Sequence, residues 1–584
     1  MTAGNTAAND TLADFEPYTP KPRYECNSGG VWFINVRADK EGNAHEQPPL
    51  LLSDPIHLIG RGIDEQGSHY RIIEWRDRLT RQTKQAAIPQ AAIPQAEIGS
   101  NAGWQQLQRY GISIMSGRAK RERLADYLQN HGSNQPYTIT DRAGWHGSVY
   151  LLPNGEAIHN SEEAPRIIYH GDTSQAAAYT PSGTLAQWQA EIARYAAGNS
   201  RLCLALGTAL AAPLLSLLGE ESGGFHIYGD SSDGKTTATH AALSVWGRPS
   251  ESIITWQGTA LAFNNTATAR NDGLLVLDEI SQAAPQLIGK TVYSIMNGIN
   301  KAQGAKDGGN RALTRWRVLM LSTGEKTPHH ILQQSRDWNA GQAARLPAIP
   351  AAARYGIYDT LHGFSDGALL SEHLKAVAEQ HHGEAGRAFI RLIDPNTPAA
   401  AQERMEAFLA SLPDLSGQAR RVARRFALCA AAIELATPVT GLPAGVGMAG
   451  IKQCFDEWLV KHGSGKYEDQ QIIKQAADFL DQYAHSIRFT DWPLPTGSKT
   501  GDNAAGYTAR NQAGEIEYLI IPAVFEREIC GTYEPAKVCI TLHGIGWLNK
   551  PKTGGWKVQK TQGSNRPRFY SFNSATPPES AEQD

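Results

Sequence analysis

Residues 229–236 read Gly-Asp-Ser-Ser-Asp-Gly-Lys-Thr, an ungapped G-x4-G-K-T, directly after the short apolar stretch Phe225–Tyr228. Every position suits a loop that holds a triphosphate. Gly229 and Gly234 let the main chain curl, so that the amides of Asp230, Ser231, Ser232 and Asp233 converge on phosphate oxygens. Lys235 supplies the positive charge for the β- and γ-phosphates, and the Thr236 hydroxyl is a ligand for Mg²⁺. From Thr237 to Trp246 the residues favour a helix, whose N-terminal dipole adds to the same anion site. A glycine-rich turn before a helix is the alternative, but strand, loop and helix in this order favour phosphate.

Two further stretches offer partners. Gly273-Leu-Leu-Val-Leu-Asp278-Glu279 is an apolar run ending in two acids, the pattern of a buried parallel strand. At its end, Asp278 can hold Mg²⁺ and Glu279 can polarise the attacking water. Arg317-Val-Leu-Met-Leu-Ser322-Thr323-Gly324-Glu325 is a second such run. A hydroxyl there can reach a γ-phosphate or the lytic water, so Ser322 or Thr323 is the candidate sensor, with a plain strand-end turn as the other reading. Between the runs lies a glycine-rich basic insertion carrying Lys301, Lys306, Arg311 and Arg315. It suits a tight hairpin, and serves either as a nucleic-acid grip or as a solvated charged loop.

The elements that position these groups fill only part of the chain. A length of 584 residues implies roughly three to five domains. With 41% apolar residues, 19% charged residues and a net charge of −3, overall composition favours neither nucleic acid nor membrane. The six cysteines are dispersed without a CxxC pair, which argues against a zinc ribbon or a disulfide framework and for reduced thiols. The polar N-terminus lacks a secretory signal. Leu202–Gly219 is 18 residues without a charge and imitates a membrane span. Pro213 and the adjacent nucleotide-binding strand make it a buried core helix instead, and the expected location is cytoplasmic.

The fold class expected is multidomain α/β. Residues 1–20 are expected to be disordered, 21–185 to form an α+β domain, 186–350 the P-loop core, 351–465 a helical domain and 466–574 a winged-helix-like domain, with 575–584 a polar tail. Within the first domain, Trp104–Asn130 reads as helical, and the tandem AAIPQ copies in 81–100 read as a linker or exposed loop. His146, His329 and His330 are isolated and read as structural. Residues 541–572 hold six Lys/Arg and no acid. There Lys557 and Lys560, interleaved with Trp547, Trp556, Phe569 and Tyr570, make a plausible DNA-contacting wing.

The runs GGFHIYGDSSDGKTTATHAALSVWG, GLLVLDEISQ, YSIMNGINK, RWRVLMLSTGE and GQAARLPAIPA together resemble the DUF927 family, as do DRAGWHGSVYLLPNG and RRVARRFALCAAAIELA, over about residues 25–460. The family comprises AAA+-like ATPases, read as helicases of phages, plasmids and integrative elements and related to MCM-type and superfamily 3 rings. The resemblance implies an AAA+-like core with a helical lid. Arg345 stands where such proteins carry the arginine that reaches a neighbour's γ-phosphate, and Arg420 or Arg421 resembles a second sensor. It further implies ATP and Mg²⁺ as ligands, DNA as partner, a ring that is most simply a homohexamer, and room for a separate primase, polymerase or loading protein. The function expected is an ATP-dependent DNA helicase or translocase of a mobile element. An initiator or remodelling ATPase without unwinding is the first rival, and a degenerate relative that merely binds ATP is the second.

Overall fold

In the computed structural model the described residues are 20–75, 90–159, 164–302, 304, 309, 313–332, 345–415, 417–462, 467–495, 501, 503–511, 513–531, 533–551 and 555–578. The expectations for residues 1–19 and 579–584, for the first AAIPQ copy up to residue 89, and for Lys306 and Arg311 therefore fall outside the described residues. Residues up to Asp172 and from Thr173 onward form two separate units.

In the first unit, strand Ile56–Ile63 alternates inward and outward residues, the period of a pleated strand. It lies at the centre of a five-stranded sheet ordered Ile167–Tyr169, Pro136–Thr140, Ile56–Ile63, His69–Trp75, Gln90–Pro94. Helices Asn101–Arg109 and Arg118–Asn130 cover one core, built on Val31, Leu52, Ile73, Trp104, Leu107 and Leu124. Two expectations are corrected here. The helical stretch 104–130 is broken between Tyr110 and Gly117, because Gly111 (φ +77°) and Gly117 (φ +111°) adopt left-handed conformations. The second AAIPQ copy is no linker: Gln90–Pro94 is an edge strand with Ala91, Ala92 and Ile93 buried. Its proline closes the strand where a missing N–H is harmless.

The second unit is built on a five-stranded all-parallel sheet ordered Ile254–Thr255, Gly273–Asp278, Val318–Gly324, Gly223–Tyr228, Ala348–Pro350. Its inner strands are buried on both faces, which explains their unbroken apolar runs. The stretch Leu202–Gly219 that mimics a membrane span is two helices, not one: Ser200–Ala211, buried along its full length, and the short Leu214–Leu217 after Pro213, beyond which Leu218 is partly exposed and Gly219 exposed. Among the described residues no helix is long and apolar enough to cross a membrane. Arg201 in that helix is fully buried; it donates to the Pro350 carbonyl (3.0 and 2.9 Å) and pairs with Glu457.

Helices Gly367–Gln380, Glu384–Leu392, Thr397–Ala410, Gly417–Leu435 and Val446–His462 make a helical layer. After helix Tyr467–Tyr483 comes a sheet ordered Phe489–Asp491, Gly506–Arg510, Ile516–Ile520, Arg568–Phe572, Val558–Gln559, with helix Pro535–Gly544 packed on it. Trp547, Tyr570 and Phe572 fill that core beside Phe525 and Leu480. All six cysteines are free, and all but Cys26 are buried.

Candidate phosphate-binding site

The parallel sheet delivers its chemistry to one edge. Strand Gly223–Tyr228 ends in the loop 229–234, and helix Lys235–Ser244 follows without a capping side chain. The first amides of that helix are thus left for a ligand. Ser232 (φ +77°) and Gly234 (φ +86°) provide the left-handed turns that curl the loop. A Cβ on Gly229 would lie 2.6 Å from the Asp233 carboxylate and 2.9 Å from Ala351, so the glycine is needed for close approach. The Lys235 ammonium lies along the loop, donating to the carbonyls of Gly229 (3.0 Å) and Asp230 (2.6 Å). These partners are neutral, and a phosphate can displace them.

A second support for the loop was not legible in the sequence. Residues 353–358 fold into a tight hairpin, and its Ile357 amide donates to the Asp233 carbonyl (2.8 Å). Gly356 (φ +70°) permits the contact, since a Cβ there would sit 2.5 Å from that carbonyl oxygen.

The loop opens on a cavity of about 380 Å³, within the range of small-molecule sites. Ser231, Ser232, Lys235, Thr236 and Thr237 line one side, and Glu279 and Glu325 come from the adjoining strand ends. The third wall is helix Gly367–Gln380. Arg420 and Arg421 are exposed residues at the start of helix Gly417–Leu435 and do not line the cavity.

Neighbouring hydroxyls on strand Val318–Gly324 face opposite ways, as the pleat requires. Ser322 is fully buried and accepts from Trp256 Nε1 (3.0 Å) while meeting His226 Nδ1 (3.0 Å). The other His226 nitrogen lies 3.0 Å from the Lys326 carbonyl. One tautomer satisfies all of these bonds: Nε2–H donates to the carbonyl and Nδ1 accepts the serine proton. Burial first, and the nearby Lys235 charge, push the His226 pKa down to about 4, which keeps the ring neutral.

Thr323 points toward the acids. Its hydroxyl donates to Asp278 and accepts the Glu279 amide (3.0 Å). Glu279 has a left-handed backbone (φ +56°), a costly conformation for a non-glycine residue. The Ser281 hydroxyl donates to its carboxylate (2.5 Å).

The remaining candidates lie apart. Arg345 donates to Asn297 (2.8 Å) three residues before strand Ala348–Pro350. Strand Ala348–Pro350 runs parallel to His226–Tyr228, so Arg345, which precedes it, lies toward the edge of the sheet away from the loop at 229–234, and it does not line the cavity. Lys301 and Arg315 are exposed at the stem of the insertion, where Asn300 bonds Thr314 (3.1 Å) and Trp316 bonds Gly298 (2.9 Å). Lys557 pairs with Glu526 (3.3 Å), and Lys560 with the buried Glu517. Of the aromatics between them, Trp547, Phe569 and Tyr570 are core residues rather than exposed rings.

Sheets and helices of these kinds define a multidomain α/β protein. Residues 24–315, half of the 584-residue chain, match the model of DUF927, described as a domain of unknown function, and the chain belongs to that family. Its fold is similar to a solved structure described as "SCCmec type IV Cch - active helicase", with a TM-score of 0.67 and 18% identity over 96% of this chain and 98% of that one. At that identity the likeness is one of fold. The apo A form of the NrS-1 C-terminal region aligns at 12% identity over 68% of this chain and 90% of that one, with a TM-score of 0.27, too low to support an argument. A comparison with curated proteins finds no match.

Proposed function

We propose that the protein is an ATP-dependent DNA helicase or translocase of a mobile genetic element, with an AAA+-like P-loop core, a helical lid and a winged-helix-like C-terminal domain. The observation that carries this reading is the facing of Lys235 and Thr236 across one cavity by Glu279. The fold likeness to a structure described as an active helicase supports it. The loop amides and Lys235 bind and orient the phosphates. The Thr236 hydroxyl and the Asp278 carboxylate are the oxygen donors that would hold Mg²⁺. Such an ion would supply neutralisation of the phosphate charge. The Glu279 carboxylate accepts the proton of the attacking water. Thr323 fixes both acids, which makes it a positioning residue.

Arg345 lies toward the sheet edge away from its own loop and does not line its own cavity, which supports action on a neighbouring subunit in a ring, most simply a homohexamer. A guanidinium there stabilises charge developing in transfer. The insertion bearing Lys301, Lys306, Arg311 and Arg315 is the proposed DNA grip. Lys557 and Lys560 are secondary contacts that must exchange carboxylates for phosphates. DNA-stimulated hydrolysis and fork unwinding, compared for wild type, Lys235→Ala and Lys306→Ala, test the whole reading. Lys235→Ala is expected to lose both activities, and Lys306→Ala to lose unwinding while keeping basal hydrolysis. Stimulated hydrolysis without strand displacement would instead indicate a remodelling or initiator ATPase, and no stimulation by DNA would remove the helicase reading.

A further inference from the structure

Helix Gly367–Gln380 begins at Asp366, whose carboxylate caps the Leu369 amide (2.9 Å). Along it, Ala368, Ser371, Glu372 and Lys375 recur at the three- and four-residue spacing of a single helix face, and that face is a wall of the phosphate cavity. The register is fixed near the loop. Ser371 Oγ bonds the Tyr358 hydroxyl (2.7 Å) and would lie 3.3 Å from a Cβ placed on Gly234.

Lys375 stands one turn beyond Ser371. It is half-buried, and among the described residues it makes no hydrogen bond or ion pair. Drawing an ammonium out of water is costly unless a partner supplies negative charge. His240 lies one helical turn beyond Thr236. Burial lowers its pKa, with smaller influences from Glu379, Lys375 and Asp278, and Lys375 and Glu279 line the same cavity. The cavity also holds Glu279, which must approach the terminal phosphate, and Lys235.

We propose that Lys375 is a second phosphate-binding cation, acting within one subunit on the terminal phosphate of a bound nucleoside triphosphate. The proposal rests on the cavity being a nucleoside triphosphate site.

Calorimetric titration of the full chain with ATPγS and with ADP, each with Mg²⁺, tests it. Lys375→Ala is expected to weaken ATPγS about tenfold or more, the worth of one charge-assisted hydrogen bond, and ADP by less than about twofold. Lys375→Arg keeps the cation and should retain the preference. Equal weakening of both nucleotides, or no change in their ratio in Lys375→Ala, overturns the proposal while leaving the phosphate site standing. Lys235→Ala should weaken both nucleotides. If wild type binds neither, the reading of the cavity falls, and the role of Lys375 with it.

Discussion

Lys235 and Lys560 both carry their ammonium groups out of bulk water, but in different company. Lys235, 8% exposed, meets only main-chain carbonyls, whereas Lys560 meets Glu517, a carboxylate that is itself 5% exposed. The loop at 229–234 therefore leaves its lysine without a carboxylate partner, and the C-terminal stretch spends much of its charge on the fold. A G-x4-G-K-T spacing prescribes a backbone path, and the free lysine follows from that path. A run of basic residues prescribes no path, so it does not reveal which cations find acids when the chain folds.

The sharpest way to break this comparison is at the acids beside the loop. Glu279→Gln is expected to slow phosphate release by about a hundredfold or more. Thr323→Ala should lower kcat roughly tenfold by freeing Asp278 and the Glu279 amide, with KM little changed. Thr323→Ser should recover most of that loss; if it fails to, the hydroxyl does not position the acids.

The pairing of the partly exposed Lys560 with the buried Glu517 predicts the next effect. Lys560→Ala leaves Glu517 without its cation and should cost about 3 kcal/mol in denaturant melts. Replacing both residues as Lys560→Met with Glu517→Gln should restore most of the stability, and a neutral single variant would show that the pair is not structural.

The two regions should also respond to acid in different windows. The depressed pKa of His226, ordinarily 6.5 and here about 4, means that its contribution to stability is present above 6.5 and is lost as pH falls toward 4. The Glu528 carboxylate is lowered from 4.5 to about 2, chiefly by hydrogen bonding from Arg488 against the cost of burial. Its contribution is present above 4.5 and is lost only as pH falls toward 2. Hydrogen exchange at pH 7 and pH 5 should therefore show strand Gly223–Tyr228 and turn 322–326 losing protection while strand Phe489–Asp491 keeps it.

The smallest effect separates the two C-terminal lysines. The exposed Lys557–Glu526 pair contributes little to stability and can yield to phosphate. Lys557→Ala should reduce the salt slope of DNA binding by about 1, and Lys560→Ala by less.

What the sequence revealed follows the same division. The loop, the acidic strand and the parallel sheet were legible because contiguous residues determine them. Strand pleating implies that Ser322 and Thr323 face opposite ways, but not which of them faces the acids; that depends on His226 and Trp256, distant in sequence. The wall made by Ser371 and Lys375 has the spacing of any solvent-facing helix, so only tertiary packing identifies it. The AAIPQ repeat misled because its prolines suggest a loop, while Ala91, Ala92 and Ile93 complete a sheet edge.

The amide of Ile357, which holds the Asp233 carbonyl, lies beyond residue 315, where the family match ends. Strands Val318–Gly324 and Ala348–Pro350, which flank Gly223–Tyr228 on either side, lie beyond it as well. A fragment cut at that boundary would keep the sequence signature of the phosphate loop yet lose both neighbours of its strand and the peptide that sets its curvature. The segment that the family model covers is thus shorter than the one that holds the loop, and expression trials should extend at least through the hairpin at 353–358.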